Sequence, residues 1–363
     1  MTEPMEMQRS SRSPEELRTR LQDWLRGHRP DAEITELQGT SANGLSSDTL
    51  LFDATWTDDA GPAQHRLVAR VAPDAGDCPV FPSYDLTRQF DLITAVGAQT
   101  GVPVPETFWN EPSAEPLGTP FFVMARVDGQ VPPDVMPYNF GDNWLFDAPA
   151  ERQRALQDAT VDLLARLHEM PVPDYLEFDT SGDTALRRHV AHTRKWYEFA
   201  AADAGRSPLI EDGFAWLDAN WPDESPPVVS WGDSRIGNIL YQDFVPAAVL
   251  DWEMAGVGPR ELDLAWLIHA HRNFEDLATL LGVGGMPDFM RRDDVVARYA
   301  AQSGYQPRDL DFYEIYAGVQ WGIVFLRTGT RQVQFGEREK PAEPDELLYN
   351  REPLRRMLAG TYF

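Results

Sequence analysis

The stretch VVSWGDSRIGNILYQDFVPAAVLDWEMAGVGPRELDLAWL, residues 228–267, restricts the fold more than any other part of this chain. Three apolar runs, VVSW (228–231), ILY (239–241) and AAVL (247–250), are too short for helices and are parted by turn residues, so they read as strands. The loop GDSRIGN bends at Gly232 and Gly237, QDFVP reads as a turn, and Asp251 follows the last run. Asp233 and Asp251 therefore each stand at a strand end, with Asn238 between them. A fold that carries this stretch has to bring two loops of a small β unit together, just ahead of a helix opening at ELDLAWLIHAHR. Any one of these residues alone reads as a turn or cap. All three in register between strands make a set.

The rest of the chain sets that unit inside the second of two lobes. Residues 14–28 carry Leu17, Leu21, Trp24 and Leu25 at helical spacing. Two β-like runs follow, DTLLFDATW (48–56) and HRLVARVA (65–72), the first alternating Leu50, Phe52, Ala54 and Trp56. A helix is expected over 84–99 and an apolar strand at PFFVMARV (120–127), which Asp128-Gly129 breaks. Past a segment rich in Pro, Asn and Asp, the pattern turns mainly helical, with Leu156, Thr160, Leu163, Leu164 and Leu167 on one face of 151–169. The expected class is α+β: an N-terminal helical extension (1–30), a small β-rich lobe (31–127) and a larger, mainly helical lobe (128–363).

Composition excludes several classes of function. A formal net charge of −26 argues against a nucleic-acid surface, which needs clustered Lys and Arg. That charge favours either simple solubility or attraction of cationic ligands. No run is apolar for long enough to span a bilayer, and the N-terminus lacks the apolar core of a secretory signal. The single cysteine, Cys78, forms no intrachain disulfide and fits a reducing compartment. The expectation is a cytoplasmic protein with no membrane, nucleic-acid or obligate protein partner.

The Asp233, Asn238 and Asp251 set suits phosphoryl transfer. That chemistry needs a carboxylate beside the attacking hydroxyl, an amide oxygen on Mg²⁺, and a second carboxylate bridging metal and phosphates. The protein-kinase catalytic loop has the same Asp-x-x-x-x-Asn spacing and a metal-binding Asp after a hairpin. On these residues the run WGDSRIGNILYQDFVPAAVLDWEMAGVGPRELDLAWL resembles the signature of the aminoglycoside phosphotransferase-like family, which has the choline kinase and protein kinase fold. The likeness extends over roughly residues 30–330. It is nearest to mycobacterial members and to the kinase-like domains joined to acyl-CoA dehydrogenases.

The resemblance implies a bilobal kinase-like fold and transfer of the γ-phosphate of ATP or GTP, with Mg²⁺, to a hydroxyl of a small molecule, aminoglycoside-like or another hydroxylated metabolite. It implies that Asp233 is the catalytic acid that orients or deprotonates the hydroxyl. By the same likeness Asn238 and Asp251 hold the metal, and Asp263-Leu264-Ala265 open the supporting helix. It implies a nucleotide loop at QGTSANGLSSD, with Ser41, Asn43 and Gly44 as donors, and a hinge at Met124, Ala125 and Val127. Arg70 stands where the family often has a strand Lys; alternation sets it on the face of Arg66 and Val68. Two further departures are Gln89, where an acidic partner is expected and Asp85 or Asp91 are the nearby alternatives, and Trp231, where the family usually has His.

Other constellations read as packing. His189 and His192 lack a third ligand, and His269 and His271 fall on different helix sides. His168 ends an amphipathic helix and reads as a packing or capping residue. Trp196, Trp266, His271 and Trp321, with Tyr197 and Phe325, are the candidates for a wall of the acceptor pocket, each equally readable as core. A different class of function stays open beside the kinase: a nucleotide- or ligand-binding module with little transfer, suggested by Trp231, Arg70 and Gln89. A metal-dependent hydrolase lacks the His-rich cluster it would need.

Overall fold

The computed structural model describes residues 14–40, 48–73, 78–134, 136–178 and 180–363. The chain divides into two compact units, one running to Thr94 and resuming over Pro105–Val127, the other formed by Ala95–Val104 and Asp128–Phe363. The class is α+β. Among the described residues no helix is long and apolar enough to cross a membrane.

The first unit is built on a five-stranded antiparallel sheet of β1 (Glu33–Thr40), β2 (Asp48–Asp58), β3 (Gly61–Val71), β4 (Thr107–Glu111) and β5 (Phe121–Ala125), in the order β1-β2-β3-β5-β4. The alternation in the sequence decides which face is core. Leu50, Phe52, Ala54 and Trp56 of β2 bury with Leu67, Ala69 and Val71 of β3, and α1 (Pro14–His28) lays Leu21 and Leu25 on the same cluster. The β2–β3 hairpin is longer than its apolar runs, pairing down to Asp58 and Gly61 across a tight turn. Strand β4 lacks the alternating apolar pattern that marks a strand, and its pairing with β5 decides it. Between β3 and β4 lies α2 (Leu86–Gln99).

The second unit is helical: α3 (Ala150–Leu167), α4 (Ala185–Ala204), α5 (Pro208–Ala219), α6 (Glu261–Leu281), α7 (Arg292–Ser303), α8 (Leu310–Gln334) and α9 (Arg351–Leu358). Helix α6 packs on α8, and α3 on α7. Four short strands interrupt the helices. Strand β6 (Pro227–Ser230) pairs antiparallel with β9 (Gly256–Pro259), and β7 (Ile239–Gln242) with β8 (Val245–Val249). The β7–β8 turn places Asp243 and Phe244 both at positive φ (49° and 66°), the backbone of a tight two-residue hairpin. The sequence GVGP of β9 has weak strand propensity, and its partner β6 supplies what propensity does not.

Candidate active site

The loop after β6 is held by one buried carboxylate. Asp263, in the first turn of α6, has no exposed surface and accepts 2.9 Å hydrogen bonds from Ser230 Oγ, Trp231 N and Gly232 N. His168, at the end of α3, lies 2.9 Å from the same carboxylate through Nε2 and 2.7 Å from Tyr299 OH through Nδ1. Ser234 Oγ donates to the Asp263 carbonyl at 2.8 Å. Burial alone pushes the Asp263 carboxyl up. The hydrogen bond and charge of His168, with the Gly232 and Trp231 N–H groups, outweigh it and hold the carboxyl below its usual range. The loop's backbone is thereby fixed from the helix beneath it. His168 caps α3, as its place in the sequence suggests, its N–H meeting the Leu164 carbonyl, and its imidazole joins the site's support as well.

Gly232 is needed where it stands. Its φ is 90°, and a Cβ there would overlap the Met254 carbonyl oxygen. This turn delivers Asp233, whose side chain is 16% exposed. Asp233 Oδ1 accepts from Trp266 Nε1 at 2.7 Å and from Arg235 Nε at 3.0 Å, while Oδ2 accepts from Asn238 Nδ2 at 2.7 Å. Arg235 also pairs with Asp134. Burial raises the Asp233 pKa, Arg235 opposes that, and the nearby charge of Asp251 adds to it; the balance lies above the ordinary Asp value. A carboxylate so placed is a better proton acceptor than one in water, and its bonds to Trp266, Arg235 and Asn238 fix its direction.

Trp231 links the two acidic loops. Its side chain is fully buried, packs against Trp252 at 5.9 Å between ring centroids, and donates Nε1–H to the Leu250 carbonyl at 2.9 Å. Leu250 in turn donates its N–H to the Asn238 carbonyl at 2.8 Å. The residue just before Asp251 is thus gripped from both sides, and Asp251 follows in the left-handed region at φ 59°. The indole accordingly braces the loop by packing and by one N–H.

Asn238 and Asp251 are the side chains expected from the sequence to meet a divalent cation. The Asn238 amide nitrogen is committed to Asp233 Oδ2 and to the Asp233 carbonyl, which turns its other amide atom, a hard oxygen donor, away from those bonds. Among the described residues no three His, Cys, Asp or Glu side chains cluster as a metal site. An amide oxygen and one carboxylate are nonetheless the donor set that suits Mg²⁺, which binds few protein oxygens and fills its shell with water and phosphate. The residues fit the ion.

The remaining expectations divide. Trp266 touches Asp233, and Trp321 packs on Trp266 at 5.8 Å. His271 is engaged elsewhere, with Tyr138 OH at 3.0 Å and the Met286 carbonyl at 3.2 Å, and burial pushes its pKa down to about 4. Trp196 is buried in α4, whose His189 and Thr193 bond Tyr316; Phe325 stacks edge-on to Trp321, and Tyr197 bonds Ser207 and Glu211. His192 stacks on Phe178. In the first unit Arg70 is half-buried on β3, in register with Thr49 and Phe122, and Gln89 is buried in α2. Met124 pairs with Val68; Ala125 gives its N–H to the Glu106 carbonyl, a bond that occupies one of the expected hinge donors, and Val127 follows β5. Ser41, Asn43 and Gly44 lie outside the described residues. Sequence reasoning passed over Arg235 although it stands two residues after Asp233, and Asp134, which no spacing connects to it.

Residues 43–311 match the Phosphotransferase enzyme family. Acyl-CoA dehydrogenase family member 10 of Mus musculus is 25% identical over 270 residues, 70% of this chain and 23% of its own length. The curated relatives are much longer proteins, of which the match spans less than a third. A structure of a candidate aminoglycoside phosphotransferase from Ralstonia eutropha superposes with a TM-score of 0.65 at 19% identity, covering 95% of this chain and 97% of its own. The aminoglycoside phosphotransferase APH(4)-Ia, in ternary complex with AMP-PNP and hygromycin B, gives a TM-score of 0.57 at 14% identity over 94% of this chain and 99% of its own. At these identities the structural likeness is one of fold.

Proposed function

This chain belongs to the phosphotransferase enzyme family, and on that premise we propose that it transfers the γ-phosphate of ATP, with Mg²⁺, to a hydroxyl group of a small molecule. The observation that carries the reading is the convergence of Asp233, Asn238 and Asp251 on loops pinned by Asp263 and Trp231. Asp233 receives the acceptor hydroxyl and takes its proton. The hydroxyl oxygen's lone pair forms the new P–O bond as the bond between phosphorus and the departing nucleoside diphosphate oxygen breaks. Asn238 and Asp251 would hold Mg²⁺, which when bound offsets the negative charge of the phosphates. The protein's own contribution is position: an oriented base, fixed donors and a loop that does not have to reorganise.

Arg235 supplies a fixed positive charge beside Asp233 and is itself anchored by Asp134. A bound nucleotide analogue in a structure of the same fold, and the oxygen donors of Asn238 and Asp251, both support the reading. The test is ADP formation from ATP and Mg²⁺ across a panel of hydroxyl acceptors, wild type against Asp233→Asn. A positioned general base contributes about 10²–10⁴ in rate, so the variant should fall by that factor while retaining its melting temperature. Undiminished turnover in Asp233→Asn would remove the assignment.

A further inference from the structure

A row of aromatic side chains leads away from Asp233 along α6 and α8. It begins at Trp266, whose indole N–H lies on the carboxylate at 2.7 Å. Trp321 follows at 5.8 Å between centroids, then Phe325 at 5.5 Å and the exposed Tyr349 at 5.4 Å; Phe274 branches from Trp321 at 6.4 Å. Trp321, Phe325 and Phe274 are each partly open to solvent. The row therefore starts at the proposed proton acceptor and ends at the surface.

Polar groups on α6 and α8 are left without partners. Among the described residues, Trp321 Nε1 and Asn273 Nδ2 are buried atoms that donate to nothing, and both ring nitrogens of His269 are likewise unmatched. His269 has no exposed surface and lies 6.1 Å from Trp321, one helical turn before Asn273. Leaving such groups unpaired is costly, and a bond to a ligand is one way to satisfy them.

The row is also uncharged, in a chain whose formal net charge is −26. Every carboxylate on α6 and α8 is already engaged. Glu261 accepts from Ser225 and Tyr305, and Asp263 holds the catalytic loop. Glu275 accepts from Asn139 and the Met286 N–H, and Asp276 from Tyr362. Asp311 and Glu314 pair with Arg292, and Glu314 with Arg272 as well. Each carboxylate on these helices thus has a hydrogen-bond or ion-pair partner within the protein.

Resting on the phosphotransferase reading, we propose that this row is the acceptor subsite and that it takes an uncharged alcohol with an aromatic body, not a polycationic aminosugar. The ring packs against the partly open Trp321, beside the buried Trp266, which presents the alcohol's hydroxyl to Asp233. Oxygen atoms on the acceptor receive hydrogen bonds from Trp321 Nε1 and the Asn273 amide, and His269 supplies a neutral donor or acceptor behind them. Transfer leaves the phosphate on the alcohol's oxygen, the proton on Asp233 and ADP as the leaving group.

The test uses the full chain with 2-naphthaleneethanol as the aromatic probe and kanamycin as the polycationic one. Binding is measured by ligand-observed NMR, ATP binding separately by calorimetry, and ADP formation with each acceptor. The expected result is binding of the naphthyl alcohol, weakened about tenfold by Trp321→Ala and less by Trp321→Phe, with ATP affinity within about twofold of wild type. The conservative variant keeps the ring, so it separates lost contact from a disturbed fold. The proposal is overturned if the naphthyl alcohol fails to bind at millimolar concentration, if it binds Trp321→Ala as well as wild type, or if kanamycin alone binds and stimulates ADP formation. Naphthyl alcohol binding through Trp321 without any ATP-dependent turnover would support the subsite while overturning the phosphotransferase reading, so the two can fail separately.

Discussion

Asp233 has two flanks, and they are built on opposite principles. On the side of β6 and the start of α6, Ser230, Trp231, Gly232 and His168 all meet Asp263, and Trp231 meets Leu250. On the side of α6 and α8, aromatic rings stack in a row while Trp321, Asn273 and His269 hold polar atoms that meet nothing among the described residues. On the first flank the Asp263 carboxylate and the loop groups bound to it have their partners within the protein, which is what a reaction geometry needs if no reorganisation is to occur during transfer. The second is incomplete in itself, which is what a binding surface needs if its partner is to supply the missing contacts. On the proposed reading, the satisfied polar groups belong to the machinery and the unsatisfied ones to recognition of the acceptor.

Breaking the complete flank should have the largest effect. Asp263→Ala leaves the Trp231 and Gly232 N–H groups, Ser230 and His168 without their acceptor, and loss of one member of such a buried network costs about 3–5 kcal/mol. A thermal melt should show a fall of several degrees, together with loss of turnover. A melt within a degree of wild type would show that the loop is held by something else.

Trp231→Phe asks a finer question of the same flank. It keeps an aromatic ring beside Trp252 but removes the N–H bound to Leu250, about 1 kcal/mol for one hydrogen bond, together with part of a fully buried ring, which adds a packing and cavity cost. Turnover should fall several-fold with little change in nucleotide affinity. Equal activity in the two proteins would make the indole N–H dispensable and leave packing as the brace.

The incomplete flank should respond in the opposite sense. His269→Phe replaces an unpartnered ring with an apolar one of similar shape, so stability should hold or rise slightly while aromatic-alcohol binding weakens. A clear loss of stability would mean that His269 has a structural partner. The smallest effect is on pH dependence. Burial, aided by Arg272, pushes the His269 pKa down to about 3, well below its unfolded value. The unfolded chain therefore takes up a proton near pH ~6.5 that the folded chain refuses. The contribution of this group is fully present above that pH and is lost as the pH falls towards 3. Thermal melts between neutral and mildly acidic pH should show a shallower acid decline in His269→Phe than in wild type; parallel declines would contradict the assignment.

Much of this was open to inspection in the sequence, for physical reasons that differ by residue. Leu50, Phe52, Ala54 and Trp56 alternate because one face of β2 is core, and the spacing of Asp233, Asn238 and Asp251 follows from two tight turns with little freedom in length. The pairing of α6 to the loop was marked only by Asp263 at the head of an apolar helix. What could not be read were contacts made across long stretches of chain. His168 lies 95 residues from Asp263, and Asp134 lies 101 from Arg235, so no periodicity connects them. Strand β9 hides in GVGP because its conformation is imposed by β6 rather than by its own residues. Trp266 was legible as an aromatic on a core helix, but its N–H on Asp233 depends on which face of α6 meets the loop.

The central claim is that Asp233 is the group that receives the acceptor's proton, and the most direct measurement is the pH profile of ADP formation in wild type beside the turnover of Asp233→Asn. Because burial and Asp251 raise the Asp233 pKa, the acid limb should fall at a pH above the ordinary Asp range as the carboxylate takes up a proton. The variant should lose about 10²–10⁴ of the rate with ATP binding intact. A wild-type profile flat down to the ordinary Asp range, with full turnover in Asp233→Asn, would contradict the account.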